Sequence, residues 1–136
     1  MTKIQIIIDS IAGGFGAVIG FLYGEVTGLF WALIAFMAMD YVSGVVIAVV
    51  NRRLSSEVGF KGLAKKLFIL CFVAMGHIID AYIVGSSSVA MTAVILFYIA
   101  NEGISLLENA SLLGLPVPEK IKEVLQQIKK KGGESD

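Results

Sequence analysis

The sequence predicts an all-α integral membrane protein, with four transmembrane helices in two hairpins followed by a C-terminal amphipathic helix. Of its 136 residues, 57% are hydrophobic and only 16% are charged, which is too apolar for an ordinary soluble domain. Long apolar stretches recur along the chain, each near the ~20 helical residues that cross a bilayer core. The 11 Lys and Arg residues fall only in short segments between or beside these stretches. The lipid bilayer is therefore the expected environment of the apolar stretches.

The first apolar stretch, Ile4 to Tyr23, is the least regular of the four. Asp9 and several glycines interrupt it, and both features weaken its apolar continuity. A re-entrant or interfacial N-terminal helix is therefore the alternative, and it would leave three spans in place of four.

The remaining predicted spans are Leu29 to Val50, Leu67 to Val84, and Val89 to Leu107. The short connections at 24–28 and 85–88 contain no Lys or Arg, as expected for turns on the outer side of the membrane. With four spans, every basic segment then lies on one side. Both chain termini are expected in the cytoplasm.

The linker between the second and third spans carries a basic cluster on the predicted cytoplasmic side. Ser55 or Ser56 is a candidate N-cap for a short interfacial helix here. An anionic leaflet would attract each well-placed cation by ~1 kcal/mol, although the cluster is equally explained as a topology signal alone. The residues expected at the membrane surface are Arg52, Arg53, Lys61, Lys65 and Lys66.

The sequence divides into a transmembrane helical domain, residues 1–114, and a cytoplasmic amphipathic tail, residues 115–136. Pro116 and Pro118 end one helix, and Glu119 to Lys131 form another with acidic residues near its start and lysines at its end. This helix is predicted to lie on the membrane or to pair with another chain. Its apolar face consists of Ile121, Val124, Leu125 and Ile128.

Glycines recur every four residues at the end of the first predicted span. Gly16, Gly20 and Gly24 share one helical face, a spacing that permits close packing of membrane helices. Self-association between copies is one interpretation. The other is packing within the chain against the second span, at Ser43, Gly44 and Ala48.

Polar and ionisable side chains inside the spans are the candidate functional residues. A charged residue at the bilayer centre costs about 2.5–3.5 kcal/mol, so these groups should face other helices or water. Hydrogen bonding between helices, pore lining, and a proton relay through His77 all remain open. The candidates are Asp40, Ser43, His77, Asp80, Asn101, Glu102, Ser105, Glu108 and Asn109.

Composition argues against several other classes of function. His77 and Cys71 are the only His and Cys, and no nucleophile-elbow or phosphate-loop pattern occurs, so neither a catalytic centre nor a metal or cofactor site is predicted. The formal net charge is zero, which disfavours nucleic acid as a partner.

Several separated motifs resemble those of the toxin-secretion/phage-lysis holin family, which comprises small bacterial membrane proteins. The resemblance runs from about Asp40 to Lys120 and is specific because the motifs occur in one order. They are DYVSG at 40–44, SEVGFKG at 56–62, HIID at 77–80, NE at 101–102 with Ser105 and EN at 108–109, and PVPEK at 116–120.

This resemblance implies a bacteriophage-type holin that oligomerises in the bacterial inner membrane. The resulting lesions would release a cell-wall hydrolase during host-cell lysis, or a toxin in some relatives. Its implied partners are the bilayer and further copies of itself, with no direct binding to the released enzyme. A small ion or proton transporter and a non-conducting membrane scaffold are the alternatives.

Overall fold

The computed structural model describes residues 1–133, which are almost entirely helical and form no strand. Four of the helices are long and apolar enough to cross a membrane, so the predicted all-α membrane fold is confirmed. The helices are α1 (Lys3–Tyr23), α2 (Gly28–Val50), α3 (Ser56–Ile78, continued by a π-helical segment, Ile79–Val84), α4 (Val89–Leu112) and α5 (Glu119–Gly133).

Side-chain caps begin three of these helices. Thr2, Thr27 and Ser55 each accept a hydrogen bond from the backbone N–H three residues further on. Ser55 is thus the N-cap, and α3 continues from it without a break. The predicted interfacial helix and third span are one 29-residue helical stretch, Ser56–Val84. At 1.5 Å per residue this stretch is ~43 Å long and extends beyond a ~30 Å hydrocarbon core.

The core lies around α4, which packs against α2, α3 and α5. Leu33, Val73 and Ile95, one from each of α2, α3 and α4, are its largest fully buried side chains. Near the turn that joins them, α3 and α4 approach very closely. A Cβ added to Gly76 would lie 2.9 Å from the Met91 Cα atom, so this crossing requires glycine.

The first helix is attached at one place only. Within residues 1–133, α1 packs mainly against α3, the ring of its last residue Tyr23 lies 5.0 Å from the ring of Phe30 in α2, and none of its residues is buried. The Tyr23 hydroxyl donates a hydrogen bond to the Leu70 carbonyl at 3.1 Å. A Cβ at Gly16 or Gly20 would meet nothing within 4 Å, so the alternative of packing this face against α2 does not occur within the chain.

The last helix lies antiparallel along α4 of the same chain. Leu125 packs onto Gly103, the Lys129 Nζ atom lies 5.7 Å from the centroid of the Phe97 ring, and Gly132 meets the backbone of Ala93 and Phe97. The sequence predicted that this helix would lie on the membrane or pair with another chain. Its partner in the structure is α4.

Candidate functional site

The three membrane-spanning helices α2, α3 and α4 each contribute one charged side chain to a single cluster. The Lys66 Nζ atom lies 2.8 Å from the Asp40 Oδ2 atom and 2.8 Å from the Glu102 Oε2 atom. The side chains of Lys66, Asp40 and Glu102 are 15%, 14% and 6% exposed. One ammonium group therefore bridges two carboxylates away from bulk water.

The position of Lys66 corrects one prediction. Lys66 was expected at the membrane surface with the other linker cations, but its side chain points into the bundle and bonds both acids. An unpaired carboxylate inside a membrane protein is costly, and a neighbouring cation offsets that cost. The signal was present in the sequence, because Asp40 and Lys66 are equally far from the short α2–α3 connection. Antiparallel helices therefore place them at the same depth.

Neutral polar side chains extend the cluster toward the C-terminal end of α4. The Asn109 Nδ2 atom donates to the Ser43 Oγ atom at 2.8 Å and approaches the Asp40 Oδ1 atom at 3.4 Å. The Ser43 hydroxyl in turn donates to the Asp40 carbonyl at 2.9 Å. Among residues 1–133, every fully enclosed side-chain N or O atom has a hydrogen-bond partner. The polar groups are thus satisfied within the monomer.

A cavity of about 750 Å³ opens beside the cluster, between α3 and the α2–α4 pair. Asn101 and Ser105 line it together with Glu102, so the polar side of α4 that the sequence indicated faces this cavity. Apolar residues of α3, including Phe68 and Phe72, form another part of its wall. The arrangement places hydrogen-bonding groups beside space that water could fill.

His77 and Asp80 lie elsewhere, at the end of the bundle that carries the α1–α2 and α3–α4 turns. Asp80 is 2% exposed and caps α4: its two carboxylate oxygens accept hydrogen bonds from the backbone N–H groups of Ala90 and Met91, at 3.0 and 2.9 Å. His77 packs against Gly24, whose positive φ of 64° forms the α1–α2 turn. These two residues therefore pack at the α1–α2 and α3–α4 turns and do not join the charged cluster.

The remaining predicted residues contribute no ion pair or side-chain hydrogen bond to the cluster. Glu108 is exposed and lines a small depression with Glu119 and Lys122, where α4 meets α5. A Cβ at Gly44 would lie 3.9 Å from the Asn109 Nδ2 atom, so Gly44 leaves room for that amide. The other four linker cations are exposed, and their contact with lipid stays a prediction. They are Arg52, Arg53, Lys61 and Lys65.

The described residues, 1–133, contain no group of three His, Cys, Asp or Glu side chains arranged to hold a metal ion. Two of the three charged groups in the cluster are carboxylates, but Lys66 occupies the space between them. The arrangement favours reversible charge pairing over coordination of a metal ion.

The cluster and cavity fall within a region that matches the profile of the bacteriophage holin family, residues 17–130. The chain belongs to this family. The resemblance seen in the sequence motifs is thereby confirmed, and the family is not one of enzymes. Its four candidate membrane spans and its family together identify the chain as a multi-pass membrane protein.

Relatives of the chain occur in several bacteria. The chain is 46% identical over 123 residues to the uncharacterised protein Lmo0128 of Listeria monocytogenes, covering 90% of this chain and 87% of that protein. It is 37% identical over 99 residues to an uncharacterised 14.9 kDa protein of Clostridium perfringens, named for the 3′ region of nagH, covering 73% and 75%. It is 31% identical over 112 residues to the uncharacterised protein YtkC of Bacillus subtilis, covering 82% and 83%. No solved structure matches the chain.

Proposed function

We propose that this protein forms homo-oligomeric lesions in the bacterial inner membrane that release a cell-wall hydrolase or a toxin. The observation that carries the proposal is the buried Asp40–Lys66–Glu102 cluster beside a cavity, in a chain of the holin family. Three transmembrane helices share these charges. Parting the helices would exchange the ion pairs for water and open a polar surface.

The uncovered glycine face of α1 supports assembly between copies. Gly16 and Gly20 have open space above them in the monomer, and small residues allow close backbone approach between membrane helices. A helix attached at a single place can offer the rest of its surface to a neighbour. We therefore assign α1 to the lateral contact between subunits.

The orientation follows from charge. The basic residues at Lys3, in the α2–α3 connection and in α5 are assigned to the cytoplasmic side, because cytoplasmic segments near spans collect Lys and Arg. Both termini are then cytoplasmic before the lesion opens. The exposed linker cations would contact the anionic inner leaflet.

Inducible expression with a cytoplasmic muralytic enzyme tests this function. We expect an abrupt loss of membrane potential after a delay, followed by release of the enzyme and lysis. A matched strain expressing the enzyme alone should keep both its potential and its enzyme. Confirmed membrane insertion with continued growth and retained enzyme would contradict the proposal.

Selective ion or proton transport is a second candidate, favoured by one observation: two carboxylates share a single ammonium group in the cavity. The proton relay through His77 and Asp80 receives no support, because both residues serve the outer turns. Liposomes loaded with a small dye and a protein-sized one separate the two functions. Loss of both dyes indicates lesions, whereas loss of ions with both dyes retained indicates a transporter.

A further inference from the structure

Helix α5 has one face that packs against α4 and an opposite face that is polar. Leu125, Lys129 and Gly132 face α4. Ile121 and Val124 lie toward one edge of the contact and are about half exposed. The residues opposite α4 are exposed and polar. They are Lys120, Glu123, Gln126, Gln127, Lys130 and Lys131.

The contact with α4 places α5 at membrane depth. Because α4 begins at Val89 just after the outer turn, Gly132 beside Ala93 and Phe97 lies only one to two turns from the outer end. Leu125 lies at the level of Gly103, near the middle of α4. The α5 helix is ~22 Å long at 1.5 Å per residue, so it spans most of the hydrocarbon thickness.

Lipid is an unsuitable neighbour for the polar face at this depth. A charged side chain near the bilayer centre costs about 2.5–3.5 kcal/mol, and Glu123 lies close to that level. The lysines at the end of α5 would also lie toward the outer side, against the usual cytoplasmic preference. The paired position is therefore compatible with a membrane only where the polar face meets water.

The α4–α5 contact is nevertheless shaped for close packing. A Cβ at Gly103 would lie 3.0 Å from both Leu125 methyl carbons, and a Cβ at Gly132 would lie 2.8 Å from the Phe97 backbone N atom. One glycine from each helix thus permits the approach, as small residues do between membrane helices. A helix that only rested on the membrane surface would require neither glycine.

We propose that α5 lines the aqueous lumen of the open lesion, forming a hairpin with α4 and presenting its polar face to water. Before opening, α5 lies on the cytoplasmic surface of the membrane with its apolar face in the interface. Packing of α5 against α4 then gives the lumen a charged wall. This inference rests on the proposed lesion-forming function.

Cysteine pairs between the two helices test the proposal in cells. In a Cys71→Ala background that still releases the co-expressed enzyme, Phe97→Cys with Lys129→Cys joins two positions that face each other in the hairpin. Phe97→Cys with Glu123→Cys is the matched control, because Glu123 lies on the opposite face of α5. Oxidation is applied before and after the membrane potential falls.

We expect the 97–129 pair to form an intramolecular crosslink only after the potential falls, and the control pair to form none. Enzyme release without the 97–129 crosslink overturns the placement of α5 while leaving the proposed function intact. Equal crosslinking before and after release overturns the transition. Absence of release from the Cys71→Ala parent and from the unsubstituted protein overturns the function, and this inference with it.

A second variant tests the same contact without cysteines. Gly132→Leu should hinder the approach of α5 to α4, reducing both the 97–129 crosslink and enzyme release while membrane insertion continues. Release at the normal level by Gly132→Leu would contradict the proposal.

Discussion

At the scale of single residues, the dominant feature is one lysine that neutralises acids from two other helices. Lys66 bonds Asp40 and Glu102 at equal distances of 2.8 Å. Removing one partner of a buried ion pair leaves an uncompensated charge, which is far more damaging than replacing the whole set with neutral groups. Lys66 should therefore be more sensitive to replacement than any other linker cation.

Replacing Lys66 with Met should lower the stability of the helical bundle by about 3–5 kcal/mol, the usual penalty for breaking a buried pair. The measurement is unfolding of the purified protein in mild detergent, followed by circular dichroism. Lys65→Met is the matched control, because Lys65 is the exposed neighbour and should have little effect. Adding Asp40→Asn and Glu102→Gln to Lys66→Met should recover most of the loss. Equal stability of the Lys66 and Lys65 variants would contradict this role.

Most members of the polar site can be identified from the sequence, but their bonding partners cannot. Asp40 and Glu102 were recognisable because charged groups are rare in spans, and the stripe on α4 was visible in the spacing of Glu102, Ser105 and Asn109. The roles depended on rotation about each helix axis and on packing between helices, which hydropathy does not report. Asp80 illustrates this, since its bonds to Ala90 and Met91 depend on the tertiary crossing of α3 and α4.

At the scale of helices, the chain combines a closely packed pair, α3 and α4, with one loosely attached helix, α1. Gly76 sits in the tight α3–α4 crossing, whereas Gly20 of α1 faces open space. The lengths of the helices followed from apolar runs, because a bilayer core requires ~20 helical residues. The packing partners of the helices did not follow, since α1 packs mainly against α3 and touches α2 at Phe30, and α5 folds back on α4.

Replacing Gly20 with Ile should weaken association between copies by about tenfold, equivalent to ~1.4 kcal/mol, because the added side chain blocks close approach of α1 helices. The monomer should be unaffected, since nothing lies within 4 Å of a Cβ at this position. Chemical crosslinking in native membranes measures the association. Val18→Ile, at an exposed position of the same helix, is the matched control. Unchanged crosslinking in the Gly20 variant would exclude this face from the subunit contact.

At the scale of the whole molecule, orientation depends on whether α1 crosses the bilayer. The helix is 21 residues long, with a mean hydropathy of 1.8 over its most apolar window. Its length therefore suffices for a crossing. With four crossings, Lys3 lies on the same side as the α2–α3 connection.

A cysteine introduced at Thr2 in the Cys71→Ala background should be protected from an impermeant thiol reagent added to intact cells before lysis. The same cysteine should react once the membrane is permeabilised with detergent. A cysteine at Ser86, in the turn between α3 and α4, should show the opposite result and react in intact cells. Labelling at Thr2 from outside would show that α1 does not cross the membrane as proposed.

The shared lysine also has a consequence for the order in which the protein is made. Asp40 precedes Lys66 by 26 residues, and Glu102 follows Lys66 by a further 36, so the cluster assembles only after all three helices have been synthesised. During synthesis the Asp40 carboxylate of α2 has no cation to pair with until α3 follows, and Lys66 then pairs with Asp40 before Glu102 of α4 is made. The charges are therefore least well paired after α2 and before α3, and Glu102 joins a lysine that already has one carboxylate partner.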